Sequence, residues 1–393
     1  MEETPYTCRQ TLKTPAPISC LAEGLSDHFF AGSDDGSVRV YNQETLKVVK
    51  AIRGLGEVSS VVCMSHTAGG LGDMWVASNR HALRFAMDTE KMILAMADAT
   101  LTLELGANDD DVLNELSLNQ KNTQLAFCLD SGIVGVVDLS TKEVTRMKTS
   151  HDNVCIFRGS GACLAQVAMQ ICGTVKFIPD RSSELVSGGY DSRLLHHDFH
   201  QRTVLSRFDL GSLTFGVFSY HSFLIFPMSG TSAQSSGVSM SPPFILSSGM
   251  SPSGILAAGT ADGRVWIGTG GEKMSGVSSG TSVKKKRRKW EGLRPDEALT
   301  ADVGHGPIVA LAFIGPHTLL TSTLMGQVTL HEIGGLTADG KLDISPKWTK
   351  GTTDVNKVNA IIATGGLIII GGLSKSGGGM IEVWEKGSKS GDA

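Results

Sequence analysis

The densest chemistry in the sequence is a run of six consecutive cations, Lys284, Lys285, Lys286, Arg287, Arg288 and Lys289, followed by Trp290. It follows the Ser/Gly-rich stretch 268–282, so residues 268–289 read as a flexible basic linker that resembles a one-part nuclear localisation signal, which an import carrier reads through charge and extended backbone. The same run could touch nucleic-acid phosphate with Trp290 stacked on a base, but a lone patch gives only salt-sensitive, sequence-blind binding. Within the linker, Gly276-Val277-Ser278-Ser279-Gly280 has the GxSxG spacing of a hydrolase nucleophile. That chemistry needs a strained strand-to-helix turn, and this copy lies in low-complexity sequence. His196, His197 and His200 are close enough in sequence to suggest metal ligands, yet on an alternating strand His196 and His197 point to opposite faces. No GxxxxGK[ST] cradle for phosphate occurs, and no nucleophile stands beside a base. The expectation is a chain without catalytic residues, cofactor or metal.

The elements around these residues repeat. Residues 185–207 read LVSGGYDSRLLHHDFHQRTVLSR: a short apolar strand, a Gly-Gly-Tyr-Asp turn, an alternating strand ending in His197-Asp198, a polar turn, and a further strand at Val204 and Leu205. Related units occupy 29–42, 125–138, 256–269 and 319–332, with weaker copies at 75–87 and 367–385. Most are preceded by another apolar segment, so each copy supplies four short strands, and such a unit needs neighbours of its own kind to bury its faces. The predicted fold is an all-β, seven-bladed propeller with loop insertions. Its approximate blades are 16–54, 57–105, 112–150, 151–210, 236–290, 303–350 and 355–385, with 5–13 returning as the closing strand.

This pattern resembles the WD-repeat propellers, although no literal Trp-Asp dipeptide occurs. Its place is taken by Tyr41-Asn42, Val137-Asp138, His197-Asp198, His331-Glu332 and Trp384-Glu385. The segments NELSLNQ (114–120), VVDLSTKEVTRMKTSHDNVC (136–155), FIPDRSSELVSGGYD (177–191) and KVN (357–359) are similar to the family of WD repeat-containing protein 53 and its fungal relatives. The resemblance implies a buried hydrogen-bond chain within a blade, which matches best at His151, Ser187 and Asp191, with His197 at the Trp position. Elsewhere it is broken: His305 and Thr321 are present, but Met325 stands where the Asp belongs. Inter-blade apolar packing is therefore expected to outweigh these networks.

The spacing between His151 and His197 is too long for one repeat. The excess is bracketed by the near-duplicate pairs Val154-Cys155 and Ile171-Cys172, so 156–172 reads as an in-frame insertion of the kind a retained intron produces. The aromatic run 213–228 fits no strand cleanly and stays open between an insertion, a buried outer strand and an exposed contact patch. The acidic triplet Asp109, Asp110 and Asp111 reads as a solvated loop.

A net charge of -4 argues against a whole surface built for nucleic acid or anionic lipid. The 7 cysteines lack CxxC spacing and read as reduced, mostly buried thiols of an intracellular protein. The acidic, polar start MEETPYTCRQ argues against a secretory signal, and no apolar run of spanning length argues for a membrane.

The expected function is a non-enzymatic protein-protein interaction scaffold in the nucleus, the cytoplasm or both, gripping partners at the narrow face where loops and inner-strand ends meet. The family resemblance implies a second possibility, a substrate receptor of a cullin-RING ubiquitin ligase that binds a ligase adaptor. Such receptors commonly carry an Arg two residues beyond the Asp of the Trp-Asp position, and here Asp138 is followed by Leu139-Ser140, Asp198 by Phe199-His200, and Asp88 by Thr89-Glu90. A chromatin or nucleic-acid factor using the basic loop is the third.

Overall fold

The computed structural model describes residues 6–25, 27–64, 70–151, 171–211, 241–270, 290–334 and 342–387. Strand β1 (Tyr6–Thr14) precedes the first blade, which contains β2 (Ile18–Glu23), β3 (His28–Ser33), β4 (Val38–Asn42) and β5 (Val48–Arg53). Blade two has β6 (Val58–Met64), β7 (Asp73–Ser78) and β8 (His81–Ala86), a short strap β9 (Ile93–Ala95), and an outer strand β10 (Leu101–Glu104). Blade three is β11 (Leu113–Leu118), β12 (Gln124–Leu129), β13 (Val134–Asp138) and β14 (Val144–Arg146); blade four is β15 (Cys172–Phe177), β16 (Glu184–Gly189), β17 (Arg193–Asp198) and β18 (Thr203–Asp209). Blade five is β19 (Ile245–Met250), β20 (Leu256–Thr260), β21 (Arg264–Gly268) and β22 (Ala298–Asp302). Blade six is β23 (Ile308–Phe313), β24 (Thr318–Thr323), β25 (Gln327–Ile333) and β26 (Ile344–Gly351), and blade seven is β27 (Val355–Thr364), β28 (Leu367–Ser374) and β29 (Gly379–Lys386).

Within each blade neighbouring strands pair antiparallel, and the innermost strands touch in sequence around a closed ring, with β27 returning to β2. Blade seven is completed from the other end of the chain: β1 pairs with β29 from Tyr6↔Lys386 to Thr14↔Gly379. Closure sets the inner part of each blade between two neighbours.

Two boundaries differ from the sequence expectation. The outer strand of blade five is β22, which lies beyond the basic run, so the linker interrupts blade five rather than following it. Gly268 ends β21, and Thr269 is buried with its N–H on the Glu297 carbonyl. Cys172, assigned to the insertion, is instead the first residue of β15, paired with Gly189 and fully buried. Residues 156–170 of the proposed insertion lie outside the described residues, as do all of 213–228 and all of 276–280.

The second and third strands of a blade are sandwiched between neighbouring blades, so both of their faces are buried. This explains why β16 (ELVSGG) is buried throughout and β28 (LIIIGGLS) nearly so, where a half-solvated strand would alternate. The outer strand β18 alternates between exposed and half-buried positions. Seven apolar clusters hold the ring, one at each interface between adjacent blades. Between blades one and two, for example, Phe30, Val40 and Ile52 pack on Val76, Leu83 and Phe85. Each buried side chain of this size contributes roughly 1.5–3 kcal/mol, so an interface outweighs any single polar network.

The turn between second and third strands carries a left-handed residue in every blade: Gly36, Gly132, Gly263, Gly326 and Gly377, with Asn79 in blade two and Ser192 in blade four. At Gly36 a Cβ would sit 2.0 Å from the Leu55 carbonyl oxygen, so the turn needs both the dihedral and the space. Every inner strand also carries a one-residue bulge, at Ser19, Ser59, Asn114, Gly173, Leu246 and Val309 directly after the first paired residue, and at both Asn356 and Asn359 in the longer β27. A bulge re-aims its side chain, and four of these point into the next blade. Ser19 donates to the Val58 carbonyl, Ser59 to Leu113, Asn114 to Cys172 at 3.0 Å, and Asn359 to Ile18 at 2.8 Å.

Candidate functional site

The structure brings His151, Ser187, Asp191 and His197 together. Asp191 lies in the turn between β16 and β17, and its Oδ1 is 2.8 Å from His151 Nδ1; His151 Nε2 is 2.8 Å from Ser187 Oγ, which is 2.9 Å from His197 Nε2. The His151 backbone N–H is held by the Gly132 carbonyl of blade three. Gly189 has to lack a side chain, because a Cβ would meet the His151 ring at 2.6 Å. Burial favours a neutral His151, but neighbouring Cys172 and Asp191 outweigh it and push the ring up to about 10. Burial raises the Cys172 thiol, while contacts from Cys128 and His151 draw it down to about 6. Burial, with His151 and His196 nearby, depresses His197 to about 3.

An acid, an imidazole and a hydroxyl in line, with a cysteine beside them, is the arrangement of a nucleophilic site. Here it is sealed. His151, His197 and Cys172 are 0% exposed and Ser187 1%, and Ser187 is already bonded on both sides by imidazoles. The network therefore fastens the loop entering blade four to the turn of that blade. In blade six only Thr321 and His331 join, at 3.0 Å; His305 and Met325 are exposed.

Blade seven uses a different device that the sequence expectation missed. Fully buried Glu382 accepts the Thr353, Asp354 and Val355 backbone N–H groups on Oε1, at 2.9, 2.6 and 2.9 Å, and the Trp384 indole on Oε2 at 2.8 Å. The signal was one carboxylate in the otherwise apolar strand GMIEVW.

The three clustered histidines are not brought together. His196 faces away from His197, with Nε2 2.9 Å from Glu184 Oε2 and Nδ1 3.1 Å from Ser206 Oγ, while His200 is exposed. No group of three or more His, Cys, Asp or Glu suited to a metal occurs among the described residues. The work of His196 is to seat the far flank of the basic linker. Trp290 meets its ring edge-on at 4.7 Å, and Leu293 N–H donates to Ser206 at 3.0 Å. Glu291 N–H reaches the Gly270 carbonyl at 2.7 Å, so the two flanks of 271–289 are joined; Lys284, Lys285, Lys286, Arg287, Arg288 and Lys289 themselves lie outside the described residues.

The Asp or Asn that follows the Trp position closes the outer turn. Asp138 Oδ1 accepts the Ser140 and Thr141 N–H groups at 2.9 and 3.0 Å, and those bonds, with the Ser140 hydroxyl foremost, lower its carboxyl to about 2. Asn42 holds Thr45 the same way at 2.8 Å. The acid is kept for turn geometry even though the following Arg is missing.

A cavity of about 430 Å³ opens where the inner strands of blades three to six run into their turns. Its apolar wall is Phe177, Met250, Leu311 and Phe313, with Pro179 and Pro252 at the rim. Its cation, Lys176, is held 2.7 Å from Glu115, whose other oxygen accepts Thr174 and the Val175 N–H at 2.7 Å. A shallow, open depression with an apolar wall and one neutralised ion pair suits an apolar side chain or short segment entering from solution.

This architecture is that of a WD-repeat β-propeller with seven blades. The WD40 propeller domain of Doa1 superposes with a TM-score of 0.62 at 10% identity, covering 98% of both chains. The propeller domain of Cps50 (Swd1) from Myceliophteria thermophila superposes with a TM-score of 0.60 at 13% identity, covering 98% of this chain and 100% of that one. In sequence, the chain is similar to WD repeat-containing protein 53 homolog of Dictyostelium discoideum, 25% identical over 205 residues. That match covers 50% of this chain and 48% of the relative, so it spans about half of each. No family model matches.

Proposed function

We propose that this chain is a protein-interaction scaffold that receives an apolar side chain or segment of a partner in the cavity at the inner-strand ends of blades three to six. The observation that carries this is the cavity walled by Phe177, Met250, Leu311 and Phe313, set in a rigid ring whose reactive-looking His and Cys groups are sealed from solvent. Met250→Glu/Phe313→Glu places charge in the cavity at two half-buried positions, leaving buried Leu311 and the β1–β29 closure untouched. Affinity purification with mass spectrometry from cells should show a defined subset of partners lost from the double variant, with unchanged circular dichroism. Identical partner sets would remove this cavity from the function. Recovery of a cullin-RING adaptor would specify the scaffold as a ligase receptor.

We propose further that an import carrier binds Lys284 to Lys289 and brings the protein into the nucleus. Changing all six to Ala should move a fluorescent fusion from nucleus to cytoplasm. An unchanged distribution would discard the import signal.

A further inference from the structure

The residue that follows the basic run is seated on the propeller. The Trp290 indole N–H donates to the Gly254 carbonyl at 3.0 Å, its ring meets His196 edge-on, and it packs half-buried against the apolar cluster between blades four and five. The seat is cut to the indole: Gly270 is left-handed at φ 57°, and a Cβ there would fall 1.7 Å from the ring nitrogen. The next residues are fixed as well. The Glu291 N–H reaches the Gly270 carbonyl at 2.7 Å; Gly292 is left-handed at φ 100°, where a Cβ would meet Ser206 Oγ at 2.7 Å; and Leu293 is buried with its N–H on Ser206. Residues 290–293 are thus held by blades four and five at every position.

The two flanks of the run are not equivalent. Residues 271–283 separate Gly270 from the first cation, Lys284, but nothing separates the last cation, Lys289, from Trp290. Successive Cα atoms are about 3.8 Å apart, so while the indole is seated the Lys289 backbone cannot leave the surface of the propeller. A carrier that reads charge through an extended backbone has to lay that backbone in its own groove. Groove and propeller therefore compete for the same end of the run. Unseating Trp290 gives up the burial of one indole and its hydrogen bond to Gly254.

We infer, resting on the import reading above, that the Trp290 seat is an autoinhibitory contact: it withholds the last cations of the run from the import carrier, and release of the indole from blades four and five frees them. The test compares binding of a purified import carrier, one that takes up single-run basic signals, to the full chain and to a peptide of residues 282–293. The peptide should bind at least about tenfold more tightly, a difference of about 1.4 kcal/mol. In the full chain, Gly270→Ala displaces the indole and leaves the run and Trp290 unchanged in sequence; it and Trp290→Ala should each restore the affinity of the peptide. A flexible Gly/Ser spacer inserted between Lys289 and Trp290 should restore it too, with the indole still seated, and reads the contact even where a substitution unsettles blade five. A full chain that binds as tightly as the peptide, or a spacer variant no better than the parent, would overturn the inference and leave the import reading standing. A peptide that the carrier ignores would overturn both.

Discussion

The indole N–H of Trp384 donates to Glu382 at 2.8 Å, two residues away on the same face of β29, and neither side chain is exposed. Through its other oxygen the same carboxylate gathers three consecutive backbone N–H groups from the loop entering blade seven. Glu382→Ala removes the acceptor of four donors, of which the Val355 N–H and the Trp384 indole are buried, and should cost on the order of 3 kcal/mol. Glu382→Gln keeps one acceptor and should lose about half as much. Urea unfolding monitored by tryptophan fluorescence measures both; equal, small losses would show the acid to be dispensable.

Acid should destabilise the ring through His197 and His331. Burial holds them at about 3 and about 4, against an unfolded value near 6.5, so the unfolded chain binds more protons between these limits. Their contribution is complete above pH 6.5 and falls away as pH drops toward 4, at up to about 1.4 kcal/mol per pH unit for each ring. His331→Gln should flatten the stability-pH slope over that window by about one proton. A parallel slope in the variant would contradict the assignment.

Ser192 occupies the left-handed turn position, with φ 62°, that glycine fills in five other blades. Ser192→Gly should relieve the dihedral and raise stability by about 0.5–1 kcal/mol, less the entropy that glycine adds to the unfolded chain. Denaturant midpoints decide it; a loss would mean that the hydroxyl holds the turn.

Cys128 and Cys172 are both 0% exposed. Although His151 and Cys128 draw the Cys172 thiol down, iodoacetamide at pH 8 should leave both unmodified in the native protein and label both in urea, as read by peptide mass spectrometry. Native labelling of Cys172 as fast as that of half-buried Cys8 would reopen the catalytic alternative.

The repeat was legible because several blades spend similar turn residues at the same spacing, as in SDDGS (33–37) and TADGR (260–264), and because middle strands buried on both faces read as unbroken apolar runs. The outer strand of blade five was missed because a long connection separates β22 from β21, and sequence spacing carries no information about pairing across such a gap. The strap β9 was missed because three residues in a turn-rich segment have no period to detect, and its partner belongs to another blade. Cys172 was misplaced because Val154-Cys155 and Ile171-Cys172 are nearly identical, so either could open the inner strand on pattern alone.

In the chain β1 precedes every blade, whereas β29, the strand it joins, follows six of them. While the polypeptide is being made, blades can stack one upon the last, but the circle stays notched, with an unsatisfied sheet on either side of the gap. The closing step spans nearly the whole length and is repaid only when it is complete. Nascent chains stalled before residue 379 should thus be the ones that chaperones hold, and damage to nine residues at one end should unfasten blades at the other.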